Sequence, residues 1–127
     1  TVDLASDELV VGIRFKPLKA AAYAKLHQRA SHFAIVGVAA ALQVSGGVIQ
    51  SARIGVTGAA AHATRLSSVE SALAGKPASR ETIAAAAKGA GATLKDVNSD
   101  LHASEEYRRA MVEVFTERAL TEALARV

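Results

Sequence analysis

The sequence has no cysteine, no tryptophan and only two prolines among its 127 residues. Without cysteine the chain makes no disulfide, no thiolate metal site and no iron–sulfur cluster on sulfur atoms of its own. That composition suits a reducing compartment, so a cytoplasmic location is expected. Aromatics amount to 4% although half of the residues are hydrophobic. Alanine and β-branched residues fill the difference, which favours closely packed helices and sheets over large sculpted pockets. Long apolar runs are also missing: the longest, Phe33 to Leu42, is too short to span a bilayer. No charged-then-apolar leader opens the chain, and a start at Thr1 without Met is expected either from processing or, more simply, from a piece of a longer protein.

Charge of one sign is scarce too. The net charge is +3, and the basic residues are scattered. Arg14, Lys16, Lys19, Lys25 and Arg29 come nearest to a stripe, but alanines dilute them and Tyr23 is their only stacking aromatic. Counterion-driven nucleic-acid binding needs a denser face than this, so these side chains read as a solvated surface. The chain also carries no GxGxxG, GxxxxGK[ST], HExxH or GxSxG pattern. Its clustered glycines, Gly46-Gly47, have no helix start behind them to cradle a phosphate. His27, His32, His62 and His102 lack ligand-like spacing, and no metal site is expected from them. Asp96, Asn98 and Asp100 alternate like the start of a calcium loop without its glycine and closing Glu. Tyr107-Arg108-Arg109 reads either as a phosphate contact or as a helix face, with the tyrosine buried and the arginines solvated or bridging to a neighbour.

What is present is strand and helix patterning for one compact domain, residues 1–127. Leu9, Val11, Ile13 and Phe15 alternate with Val10, Gly12 and Arg14, which predicts a strand that Lys16-Pro17 ends. Leu18 to Arg29 is alanine-rich and reads as a short helix or turn. Phe33 to Val44 is apolar on both alternations and fits a buried helix or a strand. The following Ser45-Gly46-Gly47 favours the strand, paired in a hairpin with Val48 to Val56, where Ala52, Ile54 and Val56 face one way. A loop over Gly58–Thr64 leads to Ser67-Ser-Val-Glu70, a capping-box pattern opening a helix that Gly75-Lys76-Pro77 stops. Ser79 caps a second helix through about Ala87, and Ser104 caps a third with Glu105 and Glu106 in its first turn. In that third helix Tyr107, Met111, Val114, Phe115, Ala119 and Leu124 recur at helical spacing. The expected fold is α+β, a three-stranded antiparallel sheet packed against three helices.

Beyond these elements, one set of segments resembles a known family. Ala22-Tyr23-Ala24-Lys25-Leu26-His27-Gln28-Arg29-Ala30-Ser31-His32-Phe33-Ala34 is similar to the opening signature of the C-terminal domain of the FAD-carrying medium subunit of molybdenum hydroxylases, the carbon monoxide dehydrogenase flavoprotein and xanthine dehydrogenase-like family. Ala52-Arg53-Ile54, Gly58, Arg65 and Glu70 fall where that family has its Ala-Arg-hydrophobic strand, glycine loop, arginine and helix-start glutamate. Ser99-Asp100, Ala103 to Arg109 and Glu117-Arg118-Ala119-Leu120 look like its closing helix. The resemblance runs from about Leu9 to Leu124, with alanines at 61 and 63 where the family's loop is usually proline-rich.

That resemblance implies a part of an FAD-dependent oxidoreductase that is not catalytic as an isolated domain. In the family a molybdenum-cofactor subunit hydroxylates the substrate, and an iron–sulfur subunit relays the electrons. The flavoprotein passes them from FAD to an acceptor such as NAD, a quinone or dioxygen. It further implies that FAD is held mainly by a preceding domain, with the C-terminal domain helping to enclose the ring and to dock the partner subunits. By the same resemblance Lys25 is the candidate flavin-proximal cation, against a solvated lysine. Tyr23 either packs beside the ring or anchors its turn in the core. The alternative from another class is a stand-alone interaction module with no flavin role.

Overall fold

In the computed structural model, which describes residues 3–127, one antiparallel sheet has strand order β1-β2-β3-β4. The strands are β1 (Ala21–His27), β2 (Ala34–Ser45), β3 (Val48–Thr57) and the two-residue β4 (Thr64–Arg65). Three α-helices follow, α1 (Ser67–Leu73), α2 (Arg80–Ala87) and α3 (Glu105–Leu124), with a short 3-10 turn at Ala90–Thr93 between the last two. The α+β class is as expected. The sheet has four strands rather than three, because Thr64, the last residue of the expected loop, and Arg65 just after it pair with Val56 and Gly55.

The first strand lies elsewhere than its pattern predicted. Residues 9–15 form no strand, and every residue from Asp3 to Lys19 is exposed. The edge strand is the stretch read as helix or turn. Its alternation is real but written in alanine: Ala22, Ala24 and Leu26 face the core, while Tyr23, Lys25 and His27 face outward. Alanine is the best helix former, so its packing role in a strand was hidden by its propensity.

The β2–β3 hairpin turns at Gly46 and Gly47, whose φ values of 57° and 74° both lie in the left-handed region that a two-residue hairpin needs. Val36, Val38, Ala40 and Leu42 of β2 and Ala52, Ile54 and Val56 of β3 supply the inner face. A bulge opposite Gln43/Val44 puts Gln50 out of register, which lets Ile49 turn inward as well. α3 crosses β1 and β2, and α1 covers β3. Val69, Leu73, Ile83, Val112, Phe115, Ala119 and Leu120 close the core from the helix side.

Of the three expected helix caps, two form. The Ser79 hydroxyl accepts from the Thr82 amide and that of Ser104 from the Tyr107 amide, each at 3.2 Å. The Ser67–Glu70 box does not form; α1 begins after Leu66 without a side-chain cap. The Glu70 carboxylate instead accepts from the Ile54 amide at 2.7 Å and from the Arg65 guanidinium at 2.6 and 2.5 Å. An unpaired amide on β3 competes for the carboxylate and wins, because leaving a backbone donor unpaired beside the core is the greater loss.

The phase of α3 also differs from its apolar pattern. Tyr107 is exposed, and Met111, Val114 and Leu124 are only partly covered. The buried stripe is Arg108, Val112, Phe115, Thr116, Ala119, Leu120 and Ala123, so the core-facing side includes an arginine and a threonine.

Candidate functional site

Two surfaces gather the side chains with chemical potential, one at an end of the sheet and one on its uncovered face. At the end where β1 leaves and β2 begins, Gln28 to Phe33 form a tight turn. The Gln28 side-chain carbonyl accepts from the Ala30 and Ser31 amides at 2.6 and 2.7 Å, and the Gln28 amide donates to the Phe33 carbonyl at 2.9 Å. His32 sits in the left-handed region at φ 58°, a conformation more open to His than to bulky residues and frequent where function constrains a backbone. That geometry aims the His32 carbonyl at the Lys25 ammonium, which donates to it at 2.9 Å, and stacks the His27 and His32 rings at 5.1 Å.

Next to this turn, exposed Phe33 meets the His102 ring edge-on at 5.6 Å, and Leu101 beside it is 92% exposed. The loop that carries Leu101 and His102 is anchored from behind. The Asp100 carboxylate accepts from the His102 and Ala103 amides at 2.9 and 3.1 Å and from Arg108 at 2.8 Å. The His102 amide is the leading reason that the Asp100 carboxyl titrates below the usual carboxylate range, with Ala103 and Arg108 adding to it. Arg108 also donates to the carbonyls of Ile35, at 2.8 Å, and Gly58, at 3.1 Å. Ile35 is the residue left out of the β1–β2 register, so its ladder-free carbonyl is met by a buried guanidinium. Gly58 has φ 80°, and an added Cβ there would collide with the Ala34 carbonyl. Of the helix-face reading, the arginine therefore bridges to neighbouring groups, whereas Tyr107, expected to be buried, is exposed.

Arg109 is engaged too, donating to the Gly91 and Leu94 carbonyls at 2.8 and 2.9 Å and pairing with Glu105. With both guanidiniums occupied inside the domain, the phosphate reading of Tyr107-Arg108-Arg109 has no free donor fork to rest on.

The sheet face away from the helices is paved with small residues, Ala39, Ala41 and Gly55, and bordered by Tyr23, Arg53 and Arg65, around a shallow depression of about 520 Å³. Tyr23 is half exposed, and its hydroxyl lies over Gly37, where a Cβ would strike it. It does not anchor the turn in the core. Lys25 follows on the same face, opposite Gly37 in the register. The two candidate residues thus flank one glycine, with Lys25 tied to the turn and Tyr23 lying on the open face. Sequence reasoning passed over Phe33, Leu101 and His102 as site members; their signal was an exposed aromatic and leucine beside two histidines in loops.

Among the described residues no group of three His, Cys, Asp or Glu is placed to hold a metal ion, and no helix is long and apolar enough to cross a membrane. Comparison with known proteins decides the family. The model of the CO dehydrogenase flavoprotein C-terminal domain matches residues 21–123. The chain belongs to that family. It is 34% identical over 125 residues to the nicotine 6-hydroxylase medium subunit of Paenarthrobacter nicotinovorans, and 33% identical over 126 residues to the carbon monoxide dehydrogenase medium chain of Hydrogenophaga pseudoflava. Each match covers 97% of this chain and 44% of the relative, so this chain spans less than half the length of those relatives. Among solved structures, a carbon monoxide dehydrogenase from H. pseudoflava superposes with a TM-score of 0.75 at 34% identity, over 84% of this chain and 38% of that one. Quinoline 2-oxidoreductase from Pseudomonas putida 86 superposes with a TM-score of 0.77 at 28% identity, over 86% and 38%.

Proposed function

We propose that this chain is the C-terminal domain of the FAD subunit of a molybdenum hydroxylase, and that the sheet end around Lys25 and Phe33 closes against one edge of the flavin ring. Its partners in this reading are the molybdenum-cofactor subunit and the iron–sulfur subunit of the same complex. The family and the relatives support the setting. The single observation that carries the finer part is the exposed, anchored cluster of Lys25, His27, His32, Phe33, Leu101 and His102.

The residues present suit a ring edge and not a whole dinucleotide. A pyrophosphate needs converging backbone amides, commonly at a glycine turn or a helix start. Here Gly46 and Gly47 make the hairpin, the Gly75 amide donates to Ile49, and the Gly89 amide donates to the Glu113 carboxylate at 2.7 Å. The starts of α2 and α3 are capped by serines and lined by Glu81, Glu105 and Glu106. In this reading the phosphates are held by the part of the subunit ahead of this domain.

FAD, when bound, supplies the step that takes electrons from the iron–sulfur relay and hands them to the acceptor. What this chain adds is a fixed cation and an apolar cover. Lys25 is held through the His32 carbonyl, so its charge is already positioned and need not be ordered when negative charge appears on the ring. Phe33 and Leu101 exclude water from that edge, which strengthens the interaction. Tyr23, two residues before Lys25, lies on the same outward side of β1 and packs beside the ring in this reading.

The test is Lys25→Ala in the FAD-loaded subunit, with Arg29→Ala as a control for loss of positive charge. The flavin midpoint potential should fall by on the order of tens of millivolts, about 30 mV being equivalent to about 1.4 kcal/mol for a two-electron couple. FAD content should stay level, since retention rests on the phosphates. An unmoved potential assigns Tyr23 to Phe33 to a structural turn or subunit contact and favours the interaction-module alternative.

A further inference from the structure

The segment ahead of β1 carries large apolar side chains that no described residue covers. Leu9, Val11, Ile13 and Phe15 are 83%, 94%, 82% and 84% exposed, in a stretch without turn or bend between Leu9 and Leu18, and their alternation is the one that sets side chains on one side of an extended strand. Val10, Gly12 and Arg14 fall on the other side of such a strand. This is the period of a strand with one covered face, and it breaks at Lys16-Pro17, where a ladder donor is lost. A row of large apolar side chains this exposed marks a surface that is covered in the working protein.

The helix side and the β1 edge of its own domain are already taken. The helix-side core is already filled by side chains of the sheet and helices. β1 has one free edge, but Arg126 reaches across it to donate to the Ala21 carbonyl, and bends at Lys19 and Ala20 separate the segment from that edge. The family is described as a C-terminal domain, and the relatives are more than twice this length, so in them a large body of chain precedes the domain.

We propose that residues 9–15 are a β-strand that completes a sheet of the preceding part of the subunit. The backbone extends the ladder there, and Leu9, Val11, Ile13 and Phe15 pack into that part's core. The strand then acts as the mechanical joint between two domains. Pairing fixes where the chain enters β1, and with it the direction in which the Lys25–Phe33 end faces. This rests on the reading that the chain continues such a subunit, but not on any flavin contact by Lys25.

Amide hydrogen exchange of residues 9–15 tests it, measured on this 127-residue chain and on the complete subunit. In the chain alone these amides should exchange freely at every concentration. In the complete subunit they should slow by about a hundred-fold or more, as in a sheet strand rather than a frayed terminus. Ile13→Asp should leave the unfolding midpoint of the chain alone unmoved and erase the protection in the complete subunit, whereas Arg14→Asp should do neither. The wild-type comparison decides the question if the variant does not accumulate. Free exchange in the complete subunit overturns the proposal. So does protection in the chain alone that grows with concentration, which would make a second copy the occupant. A loss of midpoint by Ile13→Asp in the chain alone overturns it too, because the segment then packs on its own domain. Bound FAD with residues 9–15 unprotected removes the strand and leaves the flavin reading; protection without bound FAD does the reverse.

Discussion

Arg108 and Asp100 are joined by two 2.8 Å hydrogen bonds where α3 meets the end of the sheet, and only the arginine is dry: its side chain is 1% exposed against 44% for the aspartate. The guanidinium is tolerated there because two main-chain carbonyls, of Ile35 and Gly58, accept from it as well. One side chain thereby fastens α3 to the irregular start of β2, to the end of β3 and to the loop holding His102. The Phe33–His102 surface stands on that knot.

Removing the arginine leaves two carbonyls and a carboxylate without their donor. Arg108→Met should cost about 1–3 kcal/mol for each carbonyl acceptor left buried without a donor. Glu122→Ala, which breaks a half-exposed i,i+4 pair with Arg126, should change stability by less than about 0.5 kcal/mol. Urea unfolding of both variants checks the contrast, and equal midpoints would contradict the buried knot.

Acid should act through Glu70 before it unfolds the core directly. The Arg65 guanidinium, and after it the Ile54 amide, hold the Glu70 carboxyl below its usual value. The folded chain then binds fewer protons than the unfolded one just below the ordinary glutamate pKa of about 4.3, so stability rises with pH across that window. The contribution is complete above it and fades as pH falls toward the depressed folded value. Unfolding free energy measured from pH 7 to pH 3 should therefore be flatter in Glu70→Gln than in wild type at the acid end. The same slope in both would mean that Glu70 is not the group responsible.

The phase of α3 offers the most direct check on the packing. Leu120→Ala empties a fully buried position and should cost about 2–5 kcal/mol. Tyr107→Ala, at a position 46% exposed, should stay within about 0.5 kcal/mol. The sequence pattern ranks these differently, with Tyr107 on the apolar stripe and Leu120 off it. Chemical denaturation of the pair separates the two assignments.

Much of the fold was legible because several elements carry both a pattern and punctuation. The β2–β3 hairpin has a two-glycine turn between apolar alternations, and α2 and α3 open on serines that do cap them. What failed did so for identifiable reasons. Alanine at 22 and 24 packs as a strand residue but reads as helix. Glu70 has the spacing of a capping box, yet a strand amide 16 residues away takes its carboxylate. The burial of Arg108 was not legible because its three acceptors, Ile35, Gly58 and Asp100, lie 73, 50 and 8 residues away and converge only in the fold. The candidate cluster was half legible for the same reason. Lys25 and Tyr23 stand in a contiguous signature, whereas Phe33 and His102 meet only through tertiary packing.

FAD binding by this chain alone should be weak and should not depend on the phosphates. Affinity for a flavin dinucleotide comes largely from amides and cations around the pyrophosphate, and here the Gly75 and Gly89 amides and the starts of α2 and α3 are spent on the protein's own groups. What remains is a ring-edge contact with a lysine and an aromatic, so a dissociation constant weaker than roughly 0.1 mM is expected, about 5.5 kcal/mol of binding free energy or less. Riboflavin, FMN and FAD should then bind alike, since the ring is common to all three and only the phosphates differ. Titration followed by flavin fluorescence measures each. A preference for FAD over riboflavin, or tight stoichiometric FAD binding, would place a phosphate site in this domain and remove the argument that the ring edge is its whole share of the cofactor.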